Sequence, residues 1–214
     1  MSYKIHYFPV PGRAEVSRLC LSIGHIPYED VHYTGATFPE AKPKFPFGQV
    51  PVLEFPDGKM LAQSGAIERY TAKLAGLYPE DPLQAAFADQ AVFLLNDFND
   101  LFTSTYNLPL EEKVKARQEI LAGKGSEKLK MLEKLVASVG GKYLAGDKLS
   151  YADLALFVSF STMTSGQYDG IPKDLLKDYP TLKAFRNKIA SEPGVKAYYD
   201  RNSEGFRAAF KPDA

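Results

Sequence analysis

At Tyr78-Pro79-Glu80-Asp81-Pro82 the pattern of the chain changes, and that change constrains the fold more than any other feature. Before it, short β-rich stretches alternate with helical ones. After it, only the helical period is found. Tyr3–Phe8 is β-rich and stops at Pro9. Past Pro11-Gly12, Val16, Leu19, Cys20 and Ile23 share one helical face, which Gly24 ends. Tyr28–Tyr33 reads as a second strand, and Gly35–Phe47, rich in Pro and Lys, as an irregular loop with room for one short helix. Val50–Phe55, a turn at Pro56–Lys59 and Met60–Ala62 read as a hairpin. Ser64 is the expected N-cap of a helix burying Ile67, Tyr70 and Leu74.

From residue 83 onward the chain is expected to be all helix. Phe87, Ala91, Leu94, Leu95, Phe98, Leu101 and Phe102 follow one helical period. Further helices are expected near 111–122, around Leu129, Leu132, Val136 and Val139 up to Gly140-Gly141, and after a Thr181 cap, burying Leu182, Phe185 and Ile189. Ser150-Tyr151-Ala152-Asp153 has the form of a capping box, and Leu154–Phe160 behind it is apolar on nearly every side, as in a central helix. The expected division is an α/β domain over 1–78, a linker at 79–82 and an all-α domain over 83–214.

Lys and Arg balance Asp and Glu at 26 each, and no basic cluster exceeds two adjacent residues. That argues against a nucleic-acid partner. No apolar run approaches the ~20 residues of a membrane span. A single cysteine excludes an intrachain disulfide and fits a reducing compartment. Met1-Ser2-Tyr3-Lys4 lacks an apolar signal core, so a cytoplasmic location is expected. His6, His25 and His32 are too scattered for a zinc site, and no metal is expected.

Tyr7-Phe8 with Gly12-Arg13-Ala14-Glu15, then Pro46–Leu53, Gln63–Ile67 and Ser150–Asp153, in this order and spacing, resemble the cytosolic glutathione transferases over essentially the whole chain. The resemblance is strongest to the tyrosine-type sigma class, which includes glutathione-dependent prostaglandin D synthases and cephalopod lens crystallins. It implies a thioredoxin-like first domain and a helical-bundle second domain. It also implies glutathione as co-substrate and a homodimer acting on small hydrophobic electrophiles. The alternatives it leaves are a glutathione-dependent isomerase and a non-enzymatic crystallin or carrier.

Residue by residue, the resemblance makes Tyr7 catalytic. Position agrees, since Tyr7 ends the first strand just before a helix start, where side chains of open α/β sheets reach ligands. It places glutathione beside Arg13, Phe38, Lys42, Gln49, Val50, Pro51, Gln63 and Ser64, and it implies a cis Val50–Pro51 bond. Ser64 is also explained as a plain cap, although a helix start with orphan N–H groups suits the γ-glutamyl carboxylate as well. At 38, 42 and 49 the sigma class often carries Trp, Lys and Lys. Phe38 lacks the indole N–H and Gln49 lacks the cation, so weaker glutathione binding is expected. Asp97 would reach the glutathione of the partner subunit. Prostaglandin D synthases carry neighbouring acids that bind a divalent cation, but Phe93 and Asn96 stand at two of those places, so metal activation is not expected. Phe8, Val10, Ser104, Ser159, Thr162 and Met163 are the expected wall of the electrophile pocket.

Overall fold

Alternation along β1 (Tyr3–Tyr7) sends Ile5 and Tyr7 to one face of the sheet and His6 to the other. In the computed structural model, which describes residues 2–213, β1 is the parallel partner of β2 (Tyr28–His32) and the antiparallel partner of β3 (Val52–Glu54). β3 in turn pairs with β4 (Met60–Ala62), giving the strand order β2-β1-β3-β4. The hairpin turn at Asp57-Gly58 has Gly58 at φ 85°, where the left-handed region favours glycine.

α1 (Glu15–Ile23) and α3 (Ser64–Leu74) pack together on the Ile5 face. Ala14, Leu21, Leu53 and Ile67 close the core there with Ile5 and Tyr7. Each large side chain taken out of water contributes about 1.5–3 kcal/mol. The opposite face is thinner. α2 (Phe38–Ala41) and the 3-10 turn Lys42–Lys44 after it lie over it, where Ala41 and Phe45 pack with Val52 of the sheet. These elements form one compact unit that ends at Tyr78.

Arg18 is fully buried in this first unit. Its Nε donates to both oxygens of Asp30, at 2.9 and 3.1 Å, and its Nη1 to Glu15 and to the carbonyls of Val10 and Pro11. It therefore ties α1 to β2 and to the loop that leads into α1. Cys20 is also buried, and burial beside Glu68 pushes its thiol up, away from the reactive form.

The second unit is helical throughout. It comprises α4 (Pro82–Asp100), α5 (Leu110–Ala122), α6 (Lys124–Ser138), α7 (Tyr151–Thr164), α8 (Pro180–Ala190) and α9 (Pro193–Arg201). Asp81 caps α4 by accepting from the Gln84 amide at 2.9 Å, with Pro82 in the first turn. α7 is buried along Tyr151–Met163 and packs on α4, α8 and the closing 3-10 turn Gly205–Phe210. Asp153, fully buried, accepts from the Ser150 amide (2.7 Å), the Ser150 hydroxyl (2.6 Å) and the Leu144 amide (2.8 Å). Burial pushes its carboxyl up, and these three donors oppose the shift.

Three expectations are corrected. The residue before α3 in the cap position is Gln63, with φ 73°, and Ser64 is the first helical residue. Within α3, Ile67, Thr71 and Ala72 are buried, while Leu74 is exposed. Thr181 does not cap α8. The helix starts at Pro180, and the carboxylate of Glu133 on α6 receives the Thr181 and Leu182 amides at 2.9 and 2.8 Å. A cap supplied from another helix satisfies the same orphan donors as a local one.

No described helix is long and apolar enough to cross a membrane. Among the described residues no cluster of three or more His, Cys, Asp or Glu side chains is placed to hold a metal ion.

Candidate active site

Tyr7 sits at the C-terminal end of β1, and its hydroxyl oxygen accepts the backbone N–H of Arg13 at 3.1 Å. That close approach depends on Gly12. Its φ is 47°, and a Cβ there would lie 2.6 Å from the Tyr7 hydroxyl oxygen. No other residue fits both the backbone and the space. The loop that brings the Arg13 amide to the phenol is the same one held by Arg18 through Val10 and Pro11, and the Arg18 guanidinium lies 5.8 Å from the Tyr7 ring centre. Sequence reasoning singled out Tyr7 but missed Gly12 and Arg18. The Pro-Gly pair before a helix was the available signal for Gly12. Nothing local signalled Arg18, because its partners come from β2 and the preceding loop.

The oxygen that accepts an amide proton keeps its own proton to give. A phenol oriented this way is a donor to a neighbouring anion, and the N–H groups at the start of a helical segment favour negative charge at the same point.

Of the other expected residues of the first unit, Phe8 lies beside Tyr7, with Phe38 beyond it. The Phe8 ring lies 5.6 Å from that of Tyr7 and 5.3 Å from that of Phe38. Arg13 presents an exposed side chain. The stem of Lys42 runs against Gly48, where a Cβ would stand 3.2 Å from Lys42 Cε, and Gln49 is exposed next to it. The Val50–Pro51 bond is cis. Gln63 leads into α3 in a backbone conformation that L-residues rarely adopt, costing about 1–3 kcal/mol, a cost that recurs where ligands are clamped. One turn further on, burial pushes the Glu68 carboxyl up to about 8 against the opposing pull of Arg69 and Arg13.

In the second unit the expected residues are less uniform. Asp97 is exposed on α4 and forms an ion pair with Lys128 of α6 at 2.7 Å. Ser104 is exposed, Ser159 donates to Asn99 at 2.8 Å, and Thr162 and Met163 are buried.

Residues 3–73 match the family model of the glutathione S-transferase N-terminal domain, and residues 96–202 that of the glutathione S-transferase C-terminal domain. The chain belongs to the glutathione S-transferase family. This transferase is 36 % identical over 201 residues to a hematopoietic prostaglandin D synthase of Gallus gallus, spanning 94 % of this chain and 96 % of that one. It is 34 % identical over 218 residues to glutathione S-transferase P of Caenorhabditis elegans, spanning 99 % and 96 %. Among solved structures, prostaglandin synthase D of Nilaparvata lugens superposes with a TM-score of 0.84 at 31 % identity, covering 94 % of this chain and 98 % of that one. A sigma-class transferase of Fasciola hepatica gives 0.84 at 26 %, covering 96 % and 98 %. The transferase is thus sigma-like, with a thioredoxin-like first unit and a helical second unit.

Proposed function

We propose that this glutathione S-transferase activates its co-substrate at Tyr7. The reaction adds the sulfur of glutathione to a small hydrophobic electrophile. A thiol of pKa ~8.5 is mostly protonated at neutral pH, and the thiolate is the nucleophile. Lowering that pKa by ~2 units takes about 2.7 kcal/mol. A hydrogen bond to a charged acceptor contributes about 1.5–3 kcal/mol, so one oriented phenol is of the right size. The observation that carries this reading is the Arg13 amide bound to the Tyr7 oxygen across Gly12, which fixes the phenol oxygen at the start of the helical segment. Tyr7 need not serve as a base. Conjugation of glutathione to an aromatic chloride by the purified chain tests the reading directly. A second activity, isomerisation of an endoperoxide, is favoured by the prostaglandin D synthase relative, and a prostaglandin assay on the same protein separates the two. A crystallin-like role without turnover is disfavoured by the presence of Tyr7, Gln63 and Ser64 together.

Glutathione would lie along the edge of the first unit. The γ-glutamyl carboxylate would sit at Gln63-Ser64 with Arg13 nearby, where the start of α3 offers unpaired N–H groups. The backbone of Val50, before Pro51, would pair with the cysteinyl unit as an added strand does. Phe38, Lys42 and Gln49 would hold the glycyl end. Gln49→Lys is expected to tighten glutathione binding by only a few-fold, because an exposed charge pair contributes ~0.2–1 kcal/mol. Calorimetry that shows no gain would remove Gln49 from the glycyl end. Phe8 and Val10 are the proposed contribution of the first unit to the electrophile wall, and Thr162 and Met163 on α7 are buried within the helical unit.

The active unit is proposed to be a cytoplasmic homodimer in which Asp97 meets the ammonium of the partner's glutathione. Exposed Leu83, Phe87 and Phe93 on α4 support this reading, since an apolar helix surface calls for cover. Asp97→Ala is expected to weaken glutathione binding about tenfold with little change in turnover of the bound thiol. Lys128→Gln, which frees Asp97 from its present partner, should not weaken binding. Equal loss in both variants would mean that the ion pair matters for structure and not for the ligand. A monomer in sedimentation at micromolar concentration would end the shared-site reading.

A further inference from the structure

Behind the glycyl end of the proposed site, on the face of the sheet away from Tyr7, lies a buried histidine that the reaction does not use. His6 is 7 % exposed and both ring nitrogens are engaged. Nδ1 is 2.9 Å from the Tyr33 hydroxyl, and Nε2 is 2.9 Å from the Glu54 carboxylate, which also receives Lys4 at 3.0 Å. The carboxylate only accepts, so Nε2 carries the proton. In the neutral ring Nδ1 then accepts from the Tyr33 hydroxyl. Surrounding groups keep these roles in place. Hydrogen bonds from Lys4, and then from His6, hold the Glu54 carboxyl below its ordinary range. Burial raises the Tyr33 phenol, so its proton stays on.

The imidazole is the inner end of a ladder of rings. It lies 5.4 Å from Phe45 and 6.0 Å from Tyr33, and Tyr33 and Phe45 are 5.6 Å apart. Phe38 closes the outer end, 6.3 Å from Tyr33 and 6.4 Å from Phe45, and touches Phe8 on the site side. Residues 38–44 form a four-residue helix and a three-residue turn, too short to hold themselves. The buried side chains that seat them are few: Ala41, Phe45 and Val52. The polar links at His6 reach this segment through Tyr33: its hydroxyl is bonded to the imidazole, and its ring packs against Phe38 and Phe45.

We propose that His6, with Tyr33 and Glu54, is the positioning device for the 38–44 segment and thereby sets the affinity for glutathione without touching the reacting sulfur. The proposal rests on the reading that Phe38, Lys42 and Gln49 face the glycyl end. The Tyr7 hydroxyl is oriented from the other face, through Gly12 and Arg13, and the ladder meets the Tyr7 ring by way of Phe8.

The test compares His6→Phe, which keeps a ring in the ladder but removes both hydrogen bonds, with Tyr33→Phe, which removes one hydroxyl. Each is expected to weaken glutathione binding about three- to tenfold by calorimetry, with KM for glutathione rising in step. Turnover at saturating glutathione and the pKa of the bound thiol stay as in the wild type. The double variant binds no more weakly than the weaker single one, since both remove the same link. Amide exchange in the unliganded protein quickens over residues 38–44 and not in α1 or α3. A merely structural role would lower the melting temperature and leave affinity and local exchange alone. Wild-type affinity in both single variants, additive losses in the double, or a fall in turnover with affinity intact would each overturn the proposal. If the wild-type chain fails to bind glutathione, the functional reading falls, and the exchange measurement still decides whether His6 anchors the segment.

Discussion

Tyr7→Phe is expected to cut the turnover of glutathione with an aromatic chloride by about 10- to 100-fold at neutral pH, with KM for glutathione nearly unchanged. Only an oxygen is lost from a residue 9 % exposed, and the ring keeps its packing with Ile5, Ala14, Leu53 and Ile67. The fold should therefore survive, and unfolding in urea will check that. The kinetic loss follows from one charge-assisted hydrogen bond of about 1.5–3 kcal/mol, present with the thiolate and absent with the thiol. Because the glutathione backbone would be held elsewhere, by Val50, Gln63 and Ser64, the effect falls on turnover and not on binding. A variant with wild-type turnover across the pH range would remove Tyr7 from the mechanism.

The largest expected effect on stability belongs to Asp153→Ala, at about 3–5 kcal/mol. The carboxylate is fully buried and is the acceptor for the Ser150 amide, the Ser150 hydroxyl and the Leu144 amide. Removing it leaves buried donors without their acceptor, each costing about 1–3 kcal/mol and not additively. It also uncaps α7, the helix around which the second unit is packed. The urea midpoint should fall accordingly. Asp153→Asn, which keeps one carbonyl acceptor, should lose less. A midpoint within about 0.5 kcal/mol of wild type in the alanine variant would mean that α7 does not depend on this cap.

Much of this architecture is legible in the chain because the signals are local. Tyr3–Phe8 and Tyr28–Tyr33 announce strands through β-rich runs, and both form, one residue shorter at the C-terminal end. Ser150 and Asp153, spaced as a capping box, announce the start of α7, and the all-round apolar run behind them announces its burial. What the sequence hides depends on partners distant along the chain. The cap of α8 is Glu133, 48 residues before Thr181, so a local search settles on the wrong residue. Arg18 reads as a helix cation until Asp30 and the Val10 and Pro11 carbonyls are folded around it. His6 reads as an isolated histidine until Tyr33 and Glu54 converge on it. Asp97, expected to await a partner subunit, is met by Lys128 of its own chain, a pairing across two helices that no spacing rule supplies. α9 carries no start signal strong enough to stand out, since Glu192 before Pro193 makes no side-chain cap.

At the candidate site the same division holds. Tyr7, Gln63 and Ser64 are marked by position, at a strand end and a helix start. Gly12 matters for what it lacks: only the structure shows that a Cβ would strike the Tyr7 hydroxyl, turning an ordinary loop glycine into a requirement for the phenol's orientation.

The most direct test of the central claim, that the Tyr7 hydroxyl stabilises the thiolate, is a titration of enzyme-bound glutathione followed by ultraviolet absorbance of the thiolate. The wild-type protein should hold the bound thiol about 2 units below its free value of ~8.5, and Tyr7→Phe should raise it again by at least about one unit. The same pKa in both proteins would contradict the account.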